Sequence, residues 1–126
     1  MDLKLELIPV PVSDVDRAKA FYVEKAGFVC DLDFSPSDEF RVVQLTPPGS
    51  ACSIAIGTGL VDTAPGVVRG LHLVVSDIHA ARAALVSRGL EIGEVEDMTA
   101  PGKPTVSYAW FSDPDGNTWT LQQLPS

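Results

Sequence analysis

The sequence predicts an α+β fold built from two similar modules, and an internal repeat is the main evidence for it. Residues 12–23 align with residues 75–86 at an offset of 75 − 12 = 63, which is half of the 126 residues, and six of the twelve aligned positions are identical. A repeat of half the chain length indicates two copies of one unit that neither copy completes alone. The second observation is that strand and helix patterns follow the same order in both halves.

The first half is predicted to be a strand, a helix and three further strands. Residues 3–8 alternate apolar and charged side chains, which is typical of a strand. Ser13 and Asp14 provide a helix N-cap signal, and Gly27 ends the helix. Proline-, glycine- and serine-rich turns separate the next three strands. These strands are predicted at 28–34, 40–46 and 51–56.

The second half repeats this order after a glycine-containing connection at 57–66. A strand and then a helix ended by Gly89 open it, and Asp113-Pro-Asp-Gly-Asn117 predicts a tight turn before the last strand. The segment 96–104 contains two prolines and a glycine and is predicted to be a loop. The strands are predicted at 67–75, 90–95, 105–111 and 118–124, and the helix at 77–88.

Two such modules can form a pocket between their sheets. A four-stranded sheet with one helix on one face leaves its other face open, so two sheets can close around a concave space with the helices outside. We therefore expect one domain, 1–126, made of a first module at 1–60 and a second module at 67–126.

Composition and charge exclude several classes of function. The net charge of −8 disfavours a nucleic-acid partner, because phosphate binding needs clustered Lys and Arg, and it is compatible with a cationic small ligand. The apolar runs are too short to span a membrane. The charged, alternating N-terminus does not resemble a signal peptide, so we expect a cytoplasmic protein in which Cys30 and Cys52 are free thiols.

Three motifs resemble those of the vicinal oxygen chelate superfamily, also known as the glyoxalase/bleomycin-resistance/dioxygenase fold. They are the helix-start sequence VSDVDRAKAFY at 12–22, the Gly27-Phe28 pair that follows, and the turn FSDPDGN at 111–117. The resemblance covers the whole chain and implies the two-module fold and a homodimer. It does not choose an activity, because members include metal-dependent isomerases, lyases, dioxygenases and drug-sequestering proteins.

The positions that carry metal ligands in the metal-dependent members hold other residue types here. Counting from the helix starts and from the last turn places these positions at Leu7, Gly70 and Thr120, with the fourth near Ala55. None of these side chains is a strong ligand for a divalent metal. We therefore expect neither a metal ion nor another cofactor. Displaced ligands, such as His72 with Glu6 or Gln122, are the alternative.

The predicted site lies mainly on the second module. His72 lies two residues after Gly70, so it faces the same side of its strand, and histidine is well suited to proton transfer near neutral pH. Thr118, Thr120 and Gln122 alternate along the last strand and are expected to line the same pocket. For His72 the alternative is a histidine that is hydrogen bonded within the strand layer and takes no part in chemistry.

Further candidates lie on neighbouring strands. Tyr108 and Trp110 share one face of their strand and suit a flat or cationic ligand, although a core or dimer contact explains them equally well. The small residues Ser53, Ala55 and Gly57 are expected to face the pocket from the first module. Alternation places Arg41 and Gln44 on opposite faces, so that at most one of these two residues reaches the pocket.

Two main functions fit this sequence. The first is a metal-independent protein that binds a small organic molecule between its modules, as drug-sequestering members do. The second is an isomerase or lyase that acts on a small oxygenated metabolite, with His72 as the catalytic base and Thr120 and Gln122 orienting the substrate. A metal enzyme with displaced ligands is the third possibility.

Overall fold

The computed structural model describes residues 1–125 as two four-stranded mixed sheets, each with a helix packed on one face. Ser126, the last residue of the predicted second module, lies outside the described residues. In chain order the elements are β1 (Leu7–Pro9), α1 (Val15–Ala20) with a π-turn (Phe21–Lys25), β2 (Val29–Ser37), β3 (Phe40–Thr46), β4 (Ser53–Thr58), β5 (Leu71–Val75), α2 (Ile78–Ser87), β6 (Glu96–Met98), β7 (Val106–Ser112) and β8 (Thr118–Gln123).

The two sheets have the same topology, which confirms the predicted fold class. The strand order is β1-β4-β3-β2 in the first sheet and β5-β8-β7-β6 in the second. In each sheet the first strand runs parallel to the last strand, and the other pairs are antiparallel. The repeat in the sequence therefore corresponds to a repeat of β-α-β-β-β modules.

The two helices begin in the same way. Asp14 caps α1 by accepting a hydrogen bond from the Arg17 amide at 3.1 Å, and Asp77 caps α2 through the Ala80 amide at the same distance. An Asp side chain at this position satisfies one amide that the first helical turn leaves unbonded. The predicted N-caps are thus confirmed, with the aspartate as the capping residue in both modules.

The core lies between the helices and the inner faces of the sheets. Alternate residues on β3, β4, β7 and β8 point towards the helices, and the buried side chains on this face are apolar in both modules. Trp119 and Leu121 pack beneath the helices as predicted, with 2% of each side chain exposed. The opposite face of each sheet, which we call its open face, does not pack against a helix of its own module.

A buried polar network joins the two modules. The Tyr22 hydroxyl donates to Asp113 Oδ2 at 2.7 Å and accepts from Trp119 Nε1 at 3.0 Å. Asn117 Nδ2 donates to the same carboxylate and to the Pro11 carbonyl. Burial of the phenol, together with the charge of Asp113, raises the pKa of Tyr22 far above its usual value. The predicted turn at 113–117 therefore acts as the joint between the modules.

Three predicted strands differ from those in the structure. The strand predicted at 90–95 is wrong, because the Arg82 side chain bonds the carbonyls of Ile92 and Gly93 at 3.1 and 2.7 Å, and the edge strand begins at Glu96 instead. The predicted loop at 96–104 therefore starts with a strand. The predicted 67–75 strand begins only at Leu71, because Gly70 has a φ of +73°. The first strand is Leu7–Pro9 rather than 3–8.

No helix among residues 1–125 is long and apolar enough to cross a membrane.

Candidate functional site

The open face of the second sheet carries six of the seven predicted site residues, and five of them occupy two neighbouring rows. His72, Thr120 and Trp110 lie side by side on β5, β8 and β7, because His72 pairs with Thr120 and Thr120 pairs with Trp110. In the next row Gln122 lies beside Tyr108. Residues that pair across neighbouring strands point to the same side of the sheet. We call these five residues, His72, Tyr108, Trp110, Thr120 and Gln122, the aromatic–polar face.

His72 is oriented by its neighbour Gln122. The ring nitrogen Nδ1 lies 2.7 Å from Gln122 Oε1, and the histidine side chain is exposed. An amide oxygen can only accept a hydrogen bond, so with this amide orientation Nδ1 carries the proton. In the neutral imidazole the other nitrogen, Nε2, is then an acceptor. The site therefore presents one oriented hydrogen-bond acceptor that a bound hydroxyl or amine can use.

The two aromatic residues of this face form a stacked pair. The rings of Tyr108 and Trp110 have centroids 5.9 Å apart and planes 20° apart. Trp110 is 37% exposed and Tyr108 is half-buried, so the pair is partly accessible to the solvent. Stacked, partly exposed rings can bind a further flat ring system.

The two threonines of β8 have different roles. The Thr118 hydroxyl accepts a hydrogen bond from the Gly70 amide at 2.7 Å, so this side chain holds the start of β5. Thr120 lies between His72 and Trp110 and is 5% exposed. Thr120 is thus buried in the middle of the face, and Thr118 has a structural role at its edge.

Ser53 lies on the other sheet and is already hydrogen bonded. It accepts from Gln44 Nε2 at 3.2 Å, and its hydroxyl lies 2.6 Å from Thr46 Oγ1. Thr46 in turn bonds the Asp31 carboxylate. Sequence reasoning missed Asp31 and Thr46, because an irregular register between Cys30 and Leu32 decides where Asp31 points.

Arg41 and Gly57 of the first module have structural roles within that module. Arg41 lies on the helix side, where its guanidinium bonds Asp33 at 2.8 Å and Asp16 at 2.7 Å, while Gln44 lies on the open face. Hydrogen bonds from Arg41, and then from Lys19, hold the pKa of Asp33 well below its usual range. A Cβ added at Gly57 would lie 1.9 Å from the Arg41 carbonyl oxygen, so glycine is required here by the strand pairing.

Both sheets leave their open faces uncovered within one chain. On the first sheet Phe34 is 52% exposed, and on the second sheet Val74 is 61% exposed. A groove of about 520 Å³ runs along β5, between α2 and the 47–50 loop, and among the predicted site residues only His72 lines it. The pocket expected between the two sheets therefore stays a prediction.

The four positions expected for metal ligands are structurally equivalent in the two modules. Ala55 pairs with Pro9, two residues after Leu7, and Thr120 pairs with His72, two residues after Gly70. The positive φ of Gly70 disfavours any side chain at that position. Within residues 1–125 there is no group of three or more His, Cys, Asp or Glu side chains that could hold a metal ion.

The fold defines a class of proteins that are built from two β-α-β-β-β modules. The sequence model of the Glyoxalase/Bleomycin resistance protein/Dioxygenase superfamily matches residues 4–121. The chain therefore belongs to this superfamily, as its motifs predicted.

Solved structures of similar proteins include a protein that binds an antibiotic. TnmS3, an antibiotic binding protein from Streptomyces sp. CB03234, is 37% identical over 99% of this chain and 98% of its own, with a TM-score of 0.78. A superfamily member from Sphaerobacter thermophilus DSM 20745 is 29% identical, covers 98% of both chains and has a TM-score of 0.77. No curated protein sequence matches the chain.

Proposed function

We propose that this protein binds a flat organic molecule on the aromatic–polar face, without a metal ion. The observation that carries the proposal is the arrangement of this face: a stacked, partly exposed aromatic pair lies on the same face as an oriented histidine acceptor, with one strand between them. A flat ligand can stack on Trp110 while its polar edge bonds His72 Nε2. The similarity to TnmS3 supports this class of function.

We further propose that a second copy of the chain completes the pocket. The part of the chain that the structure describes leaves one edge of β1 and one edge of β5 unpaired, and exposed edges of this kind favour pairing with another chain. Pairing along these edges would bring the first sheet of one protomer beside the second sheet of its partner. Light scattering at tens of micromolar should give twice the chain mass of 13.4 kDa, and a clean monomer would reject the homodimer.

We also propose a cytoplasmic location, which the two cysteines support. Cys30 and Cys52 are unpaired and half-buried. Thiols of this kind persist most readily in a reducing compartment. A thiol titration of protein purified without reductant should find two free thiols per chain, whereas a disulfide would argue against this location.

Anthracenemethanol, a neutral probe with three fused rings, tests the binding function. It should bind the wild-type protein saturably and quench tryptophan fluorescence. Trp110→Ala removes the exposed member of the stack, so it should weaken binding about tenfold or more, which corresponds to about 1.4 kcal/mol. Val86→Ala, which truncates an exposed apolar residue on α2, serves as the matched control. Equal affinities of the wild-type protein and Trp110→Ala would contradict the proposal.

A second candidate function is an isomerase or lyase with His72 as the base. The observation that favours it is the same hydrogen bond, because a histidine held through Nδ1 presents Nε2 for proton transfer. Such a base should exchange the α-proton of dihydroxyacetone for deuterium in D₂O, as measured by NMR. His72→Gln should abolish this exchange. If the wild-type protein gives no exchange above buffer, this candidate fails and the binding function is unaffected.

A further inference from the structure

The open face of the first sheet carries a carboxylate that a β-bulge places there. Cys30 pairs with Leu45 and Leu32 pairs with Gln44, so Asp31 is an extra residue between two regular pairs. A bulge of this kind changes the direction of a side chain relative to simple alternation. The Asp31 carboxylate thereby reaches Thr46, whose neighbours on the open face are Gln44 and Ser53.

The hydrogen bonds around Asp31 all run in one direction. Thr46 has a single hydroxyl proton, which it donates to Asp31 Oδ2. The Ser53 hydroxyl must then donate to Thr46 at 2.6 Å, and Gln44 Nε2 donates to Ser53 at 3.2 Å. Hydrogen bonds aligned in this way polarise one another and fix the position of the terminal acceptor. Three neighbouring strands therefore orient one carboxylate.

Asp31 differs from its near neighbour Asp33 in its charge partners. Asp33 lies on the helix side and forms ion pairs with Lys19 and Arg41, both at 2.8 Å. No ion pair among the described residues includes Asp31, and its side chain is exposed. The open face of the first sheet therefore offers an oriented negative charge that still lacks a cation.

We propose that Asp31 selects ligands that carry a protonated amine on a flat aromatic ring system. This inference rests on the proposed function, in which the first sheet of one protomer lies beside the second sheet of its partner and completes the pocket. The aromatic–polar face stacks the rings, and Asp31 on the adjoining first sheet binds the ammonium group. An ammonium–carboxylate pair is a charge-assisted hydrogen bond, and the net charge of −8 attracts the same ligands.

The experiment compares two probes that differ only in their charge. Anthracenemethanol is neutral, and aminomethyl-anthracene carries a cation of nearly the same shape at neutral pH. The wild-type protein should bind the amine about fivefold more tightly than the alcohol, as for a well-formed exposed ion pair. Asp31→Asn keeps the shape of the side chain and should abolish this preference, mainly by weakening the binding of the amine.

Asp38→Asn is the matched control, because it removes the same charge from the exposed turn between β2 and β3. It should keep the preference for the amine. If the preference survives in Asp31→Asn, or if the wild-type protein binds both probes equally, Asp31 is not the selecting group and the proposed function stands. If the wild-type protein binds neither probe, the proposed function fails, and this inference fails with it.

Discussion

The open faces of the two modules differ far more than their helix-facing sides. The row His72, Thr120 and Trp110 of the second module corresponds to Pro9, Ala55 and Gln44 of the first, because both rows occupy the same register positions. On the helix-facing side, the corresponding residues of β4 and β8 are apolar in both modules.

The difference shows which positions the fold requires and which it leaves free. Core positions stay apolar because each module must bury one face of its sheet against a helix. The open face has no such requirement. The second module has a stacked aromatic pair and hydrogen-bonding groups there, whereas the first module has small residues on β4, the exposed Phe34 on its edge strand and one oriented carboxylate. Function is therefore expected to follow the differences between the modules.

The largest effect is expected where the modules join. Asp113→Ala would leave the Tyr22 hydroxyl and the Asn117 amide buried without their acceptor. Each such loss costs about 1–3 kcal/mol, so the free energy of unfolding should fall by about 3 kcal/mol or more.

We propose that the two modules form one domain through this joint. Denaturant unfolding of the wild-type protein should then show a single transition, and two separate transitions would contradict the proposal.

A pair of neighbouring residues on β8 compares the two faces directly. Leu121→Ala creates a cavity on the core side and should cost about 2–5 kcal/mol of unfolding free energy. Gln122→Ala, one residue further along on the open side, should cost about 0.5 kcal/mol or less. Chemical denaturation measures both values. Similar costs for the two variants would show that the open face is part of the structural core.

The buried phenol at the joint predicts an alkaline loss of stability. The pKa of Tyr22 is raised in the folded protein, so above about pH 10 the unfolded chain releases this proton while the folded chain keeps it. The contribution of Tyr22 to the free energy of unfolding is therefore fully present below about pH 10. Above that pH it falls, by up to about 1.4 kcal/mol per pH unit. Between roughly pH 9 and pH 11, the melting temperature should fall less steeply for Tyr22→Phe than for the wild-type protein. Parallel curves for the two proteins would contradict this assignment.

The sequence predicted the repeat, the two β-α-β-β-β modules and the N-cap of the first helix because these depend on local patterns. Alternation also placed Thr120 and Gln122 on one face of their strand, Tyr108 and Trp110 on one face of theirs, and Arg41 and Gln44 on opposite faces, as the structure has them. Sheet periodicity is strict enough for such assignments wherever the register is regular.

Other features depended on interactions that a sequence pattern does not contain. The bulge at Asp31 changes the register by one residue, so alternation could not place this side chain. The loop at 90–95 is set by the Arg82 side chain, which bonds carbonyls that a strand would have used. The residues of the open face of each sheet could be predicted from the sequence. That no other part of the same chain covers this face could not be predicted.

The most direct test of the central claim compares His72 with Pro9, its equivalent in the first module at 72 − 9 = 63 residues earlier. His72→Ala should weaken anthracenemethanol binding about tenfold or more, measured by calorimetry, because it removes the oriented acceptor. Pro9→Ala should change the affinity less than about threefold, and both variants should melt within about 2 °C of the wild-type protein, as surface changes usually do. If His72→Ala binds the probe as well as the wild-type protein does, or unfolds at a much lower temperature, His72 is a structural residue and the aromatic–polar face is not the binding site.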